Sequence, residues 1–267
     1  MDLHHFYHVY ADGAWQDPVV DHLLALRQNG LYQQLKSFNI GFVGSQENIK
    51  EVRSFLDNEC SYTVVASQPD GFEQITLFEL EKFVKQNDGL VSYAHTKGSW
   101  HSCPGATIHR RQMEHHNFVD WQLPVYHLTH GAYIAGCWWS FWNGGDIASE
   151  NPDNYARFFI GNYWWARCDI MRLNMPLKDG YRHYAETWIG QLAYRCDLQE
   201  GSTVINLTPE YDMSLRALKN LRGLELNKLP DEGSLFAGDH RSGPIGVVSG
   251  LPKRSKSRSN SWGTKKF

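Results

Sequence analysis

Within the first hundred residues, a short β-prone run, a turn and a segment of helical periodicity follow one another and then recur. Phe6, His8 and Tyr10 alternate with Tyr7 and Val9 until Ala11-Asp12-Gly13 breaks the run, which predicts a strand ending in a turn. From Pro18 to about Leu35, the residues Val19, Leu23, Leu26 and Leu35 recur near helical spacing, with Asn29-Gly30 interrupting. A second strand, Asn39 to Gly44, leads through Ser45 as a cap into a helix over Gln46 to Leu56, where Ile49, Val52, Phe55 and Leu56 share a face. Tyr62 to Ala66 predicts a third strand, Phe78 to Lys85 part of a third helix, and Leu90 to Ala94 a fourth strand. Strands separated by helices pair in parallel, so the expectation is an α/β fold with a mainly parallel central sheet and crossover helices.

The fourth strand runs into Tyr93-Ala94-His95-Thr96-Lys97-Gly98, a basic turn punctuated by glycine. Open α/β sheets bind ligands at the carboxyl ends of their strands, so fixed positive charge there suits an anion. His95, Thr96 and Lys97 are candidates for contacts to a phosphate or leaving group. The plain alternative is a solvated lysine and a histidine that caps the strand.

Composition narrows the class. At 267 residues with a formal charge of -3, the chain is long enough for one large core and has no global attraction to nucleic acid or membrane. Five cysteines without a Cys-x-x-Cys pair indicate neither a disulfide framework nor a standard zinc site, and point to a reducing compartment. No basic, then apolar, leader opens the sequence and no stretch has the length of a membrane span, so a cytoplasmic location is expected, or the host cytoplasm for a viral or phage protein. The excess is aromatic: 10 Trp and 13 Tyr, many between Tyr133 and Trp188, which either fill a core or line a ring-stacking pocket.

A loop over Ser99 to Gly105 precedes a helix expected from Thr107 to Trp121, with Ile108, Met113 and Phe118 among its apolar positions. Arg110 and Glu114 sit at i,i+4, a spacing that fits a surface bridge, while Arg110 is also placed to reach back to a diphosphate. His115 and His116 are adjacent on this helix and therefore make a poor metal pair. From Gly238 to Phe267 the chain is rich in Gly, Ser, Pro, Lys and Arg, the composition of a basic flexible tail able to tether an anionic acceptor.

Five passages together resemble a family of sugar-nucleotide glycosyltransferases with a GT-A-like fold, found in viral, phage and bacterial genomes. They are His8-Val9-Tyr10, Asn29-Gly30-Leu31-Tyr32, Tyr93-Ala94-His95-Thr96-Lys97-Gly98, Gly161-Asn162-Tyr163-Trp164-Trp165-Ala166 and Ala185-Glu186-Thr187-Trp188. The resemblance implies one glycosyltransferase-like domain over residues 1–237, with a nucleotide-binding half (1–98) and an acceptor half (99–237). Tyr10, Asp12 and Trp15 then fall where the fold receives base and ribose, an aromatic to stack and a carboxylate to accept hydroxyl protons; the alternative is an ordinary turn with a buried tyrosine. Where the wider GT-A pattern has Asp-x-Asp, this chain reads His95-Thr96-Lys97, so no cofactor is expected to be required and Lys97 offsets the leaving diphosphate directly. Asp12 or Asp70 remain available to a divalent metal.

The resemblance puts Glu186 near the acceptor as the base, with Asp169 its competitor and a bridge to Arg182 its structural alternative. Asn162, Trp164 and Trp165 are the sugar-binding candidates, with at least one indole expected in the core. The implied activity is hexosyl or pentosyl transfer from a nucleotide-sugar to a hydroxyl of a glycan, protein or modified DNA. A non-catalytic carbohydrate- or nucleic-acid-binding module with an aromatic cleft is the competing class.

Overall fold

The computed structural model describes residues 1–99, 104–142 and 156–208. Its first half is β1 (Leu3–Tyr10), α1 (Gln16–Gln28), α2 (Leu31–Gln34), β2 (Leu35–Val43), α3 (Gln46–Glu59), β3 (Thr63–Gln68), α4 (Gln74–Val84) and β4 (Leu90–His95). β1 pairs in parallel with β2 and β4, and β2 in parallel with β3. The α/β class, the mainly parallel sheet and the crossover helices are those expected from the sequence.

Boundaries differ where local backbone chemistry overrides periodicity. The helix expected to reach Leu35 stops at Gln28 because Gly30 adopts φ 76°, and Leu35 already belongs to β2. Ser45 caps α3 as expected, its hydroxyl accepting from the Asn48 amide at 3.3 Å. α4 starts four residues ahead of Phe78, and its early Thr76 lies so close to β2 that a Cβ on Gly41 would come within 2.0 Å of the Thr76 hydroxyl. The helix expected to run to Trp121 is α5 (Pro104–Glu114) followed by a π-helical turn over His115–Val119. In that wider turn the Asn117 carbonyl accepts from Trp165 Nε1 at 2.9 Å.

After α6 (Gln122–Thr129) come β5 (Ile134–Gly136), β6 (Trp139–Trp142), β7 (Ala156–Phe159), β8 (Trp164–Arg167) and β9 (Val204–Asn206). β5, β8 and β9 extend the first-half sheet to the order β3-β2-β1-β4-β8-β5-β9, in which β8 alone runs antiparallel to its neighbours, while β6 and β7 form a separate pair. The two halves therefore share one sheet.

Alternation along the strands builds a core on each face. Tyr7, Val9, Ala94 and Trp165 join one apolar cluster with residues of α1, α3 and α5, whereas Phe6, Tyr93 and Trp164 join the other with α4 and the segment around Trp188. The basic segment from Gly238 lies outside the described residues. Among the described residues no helix is long and apolar enough to cross a membrane.

Candidate functional site

The carboxyl ends of β1, β2 and β4 meet the start of β8 at one edge of the sheet, since His8 pairs with His95 and Tyr93 with Trp164. Local hydrogen bonds lock this edge. Thr96 donates its amide to the His8 carbonyl at 3.0 Å, and its hydroxyl accepts from the Tyr10 amide at 2.9 Å. The Ala14 amide bonds the Ser99 carbonyl at 2.9 Å, tying the loop after β1 to the turn after β4. Asp12 spans to the next loop, its Oδ1 accepting from the Ser45 amide at 2.7 Å and Asn48 Nδ2 at 2.8 Å. Tyr10, Asp12, His95, Thr96 and Lys97 are thus brought to one edge although 87 residues separate the first from the last.

Thr96 is buried and engaged in joining strands. Trp15 is also buried, packed on Phe55 at 5.8 Å between ring centres in the core, so its ring is not exposed to a base. Arg110 is neither a surface partner of Glu114 nor free to reach outward. Buried with Asp21, it bonds that carboxylate at 2.6 Å and the Lys97 carbonyl at 3.1 Å, and so holds the basic turn in place. Lys97 is half-buried, and among the described residues no carboxylate is ion-paired to its ammonium. Its charge helps to lower the His95 pKa to about 3, burial being the larger cause.

His95 faces the other half of the chain. Its Nε2 bonds the Gly161 carbonyl at 3.0 Å, and its Nδ1 lies 3.4 Å from Oε1 of Glu73, the residue just ahead of α4. Gly161 and Asn162 both have positive φ, 84° and 58°, which turns the Gly161 carbonyl toward the histidine. Asn162 is buried and saturated: Nδ2 donates to Glu73 Oε2 at 2.8 Å and to the Ala185 carbonyl, while Oδ1 accepts from Trp164 Nε1 at 2.8 Å. Tyr93 donates to the same Glu73 Oε2 at 3.0 Å. Both indoles of the Trp164-Trp165 pair are sealed, on opposite faces of the sheet, so they line no aromatic cleft.

Glu186 is close enough to act on the charge state of His95 and Tyr93, with Arg182 at 3.8 Å and His183 at 3.5 Å. The bridge to Arg182 is therefore present. Asp169 does not join this group. It follows β8 at the end where Arg167 pairs with Leu90, the first residue of β4, about 17 Å of strand from His95, and it pairs with Arg167 at 2.5 Å.

Sequence reasoning missed Glu73 and Asp21, which lie in no recognisable motif and acquire partners only through the tertiary fold. It also missed a buried chain on the α1/α5 face. There Ser92 Oγ, His5 Nδ1 (2.7 Å), His5 Nε2, His22 Nε2 (2.8 Å), and His22 Nδ1 with Glu114 Oε2 (2.8 Å) form one line. The excess of histidine in β1 was its only signal in the sequence.

Among the described residues no group of three or more His, Cys, Asp or Glu side chains is arranged to hold a metal ion. His95, Thr96 and Lys97 do not supply the oxygen-rich shell that magnesium or calcium requires, and Oδ1 of the one carboxylate on the loop after β1, Asp12, is taken up by the Ser45 amide and Asn48.

A family model described as "Domain of unknown function (DUF8361)" matches residues 6–203. No curated protein matches the sequence. Similar solved structures include glucosyl-3-phosphoglycerate synthase from Mycobacterium tuberculosis in complex with Mn2+, uridine diphosphate and phosphoglyceric acid, at 12% identity, 87% of this chain, 80% of that one and a TM-score of 0.42. A mycobacterial protein aligns at 12% identity over 77% of this chain and 65% of its own, TM-score 0.43, so the match spans just under two thirds of that protein. The 4-diphosphocytidyl-2C-methyl-D-erythritol synthase of Anaerococcus prevotii DSM 20548 aligns at 11% identity, 78% and 88% coverage and a TM-score of 0.38. With scores of this size, the functional reading rests on the chain's own residues.

Proposed function

The chain belongs to the DUF8361 family, and for it we propose a GT-A-like glycosyltransferase that moves a hexosyl or pentosyl group from a nucleotide-sugar to a hydroxyl acceptor. One observation carries the reading: a half-buried lysine, Lys97, without an ion-paired carboxylate among the described residues, stands at the carboxyl edge of a parallel sheet on a turn clamped by Arg110. On one side of it lie Tyr10 and Asp12, the nucleoside side. On the other lie His95, Glu73 and Glu186, the sugar and acceptor side.

In transfer, the acceptor oxygen bonds the anomeric carbon as the bond from that carbon to the diphosphate oxygen breaks. The diphosphate leaves with the electron pair, beside Lys97. Glu186 takes the hydroxyl proton. Arg110 and Thr96 act as positioning residues that hold the turn, and Asp12 holds the loops that frame the nucleoside.

Lys97→Ala tests this. With the fold intact by circular dichroism, release of nucleotide diphosphate and sugar transfer should both fall by about a hundredfold or more, the size of one lost electrostatic donor. Activity should persist in a strong chelator. Near-normal turnover in the variant, or loss with chelator restored by manganese, would overturn the role given to Lys97.

A further inference from the structure

The His95–Glu73 contact has an unusual proton inventory. The Gly161 carbonyl can only accept, so His95 Nε2 carries a hydrogen and donates it. The ring is then complete as a neutral imidazole, with its lone pair on Nδ1. That lone pair faces Glu73 Oε1 at 3.4 Å, too long for a good hydrogen bond. A second proton on the ring is disfavoured by burial and by Lys97. Glu73 cannot turn away, because its Oε2 is held by two donors, the Tyr93 hydroxyl and Asn162 Nδ2. Two acceptors are thus fixed face to face with no donor between them among the described residues. Both side chains remain about one-sixth open, 15% for His95 and 16% for Glu73. Gln74, the next residue, is buried and its Oε1 is a further acceptor lacking a hydrogen-bond partner among the described residues.

What satisfies such a pair is a ligand offering two neighbouring donors. We propose that His95 Nδ1 and Glu73 Oε1 form a subsite for adjacent hydroxyls of a sugar ring, each hydroxyl donating to one acceptor. The ligand class rests on the glycosyltransferase reading, while the subsite itself stands on the geometry. It replaces the phosphate contact first expected of His95: a histidine turned toward Glu73 and Gly161 serves hydroxyls, and Lys97 alone faces the diphosphate. Both tryptophans expected to hold the sugar are sealed, so among the described residues this polar pair is the group at the edge placed to orient one.

The experiment is nitrogen-15 NMR of the histidine rings in the full chain, titrated with free D-glucose, D-galactose and D-ribose. Without sugar at neutral pH, His95 should show a protonated Nε2 and a bare Nδ1. At least one of the sugars should shift Nδ1 toward the hydrogen-bonded range while leaving His22 unmoved. Glu73→Gln should abolish the response, because its amide can itself donate to Nδ1 and close the gap; the variant should melt no lower than the wild type. A proton on Nδ1 in the sugar-free protein, no response to any of the three sugars, or an undiminished response in Glu73→Gln would each overturn the proposal. The assay reads sugar binding without turnover. A sugar response in a protein that releases no nucleotide diphosphate from any donor would sink the transferase reading and leave the subsite standing.

Discussion

Two histidine–glutamate pairs lie on opposite faces of the same sheet and are built to opposite ends. His22 and Glu114 are 1% and 4% exposed and meet at 2.8 Å; His95 and Glu73 are 15% and 16% exposed and stand 3.4 Å apart. In the sealed pair both ring nitrogens of each histidine in the chain are partnered. Ser92 donates to the His4 carbonyl and so accepts from His5 Nδ1; His5 Nε2 then accepts from His22 Nε2, which leaves one proton shared between His22 Nδ1 and Glu114. Burial lowers the His22 pKa to about 3 and pushes that of Glu114 well up, and both shifts favour the uncharged arrangement with the proton on the carboxyl. In the open pair the facing atoms stand 3.4 Å apart, too far for a good hydrogen bond. A buried polar chain that closes on itself serves the fold, and one left a donor short is available to a ligand. Tyr163 lies between the two, donating its hydroxyl to the His95 carbonyl at 2.5 Å and close enough to Glu114 for each to influence the other's charge.

The largest expected effect is common to both faces and concerns acid. His5, His8, His22 and His95 are all held below the ordinary histidine pKa chiefly by burial, His8 at about 4 and both His22 and His95 at about 3. The unfolded chain binds protons at these histidines below about pH 6.5, while the fold refuses them until near pH 4 or 3. Stability from this source is complete above pH 6.5 and lost as pH falls toward 4. Glu114 opposes the trend in part, since its raised pKa lets the fold keep a proton that the unfolded chain releases. From these four histidines and Glu114 alone the loss between pH 6.5 and 5 should be on the order of 5 kcal/mol, at about 1.4 kcal/mol per group per pH unit before the offset, and burial of His4, His109 and His116 adds to it in the same direction. Calorimetry across this range measures it, and a flat melting temperature would mean that one or both chains are already charged.

Next in size is a test of the sealed pair. Glu114→Ala leaves the His22 lone pair unsatisfied beside a cavity and should cost about 2–4 kcal/mol in denaturant unfolding. Glu114→Gln should cost far less at neutral pH, about 1 kcal/mol or under, because its amide donates to His22 Nδ1 much as a carboxylic acid does. Equal losses for the two variants would show that the pair is ionic.

The contrast also marks what the sequence makes legible. Strand and helix alternation exposed the parallel sheet, and the basic turn at Lys97 stood out because its glycine and charges are consecutive. Convergence of Tyr10, Asp12 and His95 followed from strand order. Burial was another matter. Trp15 was expected at the nucleoside and Arg110 in a surface bridge or at the diphosphate, yet the first packs on Phe55 and the second on Asp21, contacts set by helix crossings that no spacing encodes. Glu73 was invisible for the same reason. Its partners Tyr93, His95 and Asn162 come from β4 and the turn ahead of β8, 20 to 89 residues away in the chain.

The smallest expected effect belongs to a third acid–base pair, Arg167 with Asp169, which supplies a control. Its side chains are 30% and 50% exposed, at the edge of the sheet opposite His95. Bonds from Arg167 to both Asp169 oxygens hold the Asp169 pKa below its ordinary value, but water screens so exposed a pair. Asp169→Asn should therefore alter stability by less than about 1 kcal/mol. It should leave both turnover and the sugar response at His95 unchanged, because about 17 Å of β4 lies between the two edges. Loss of transfer in this variant would mean that a carboxylate at the amino edge reaches the acceptor. The division between a closed structural pair and an open ligand pair would then have to be redrawn around Asp169 in place of Glu73.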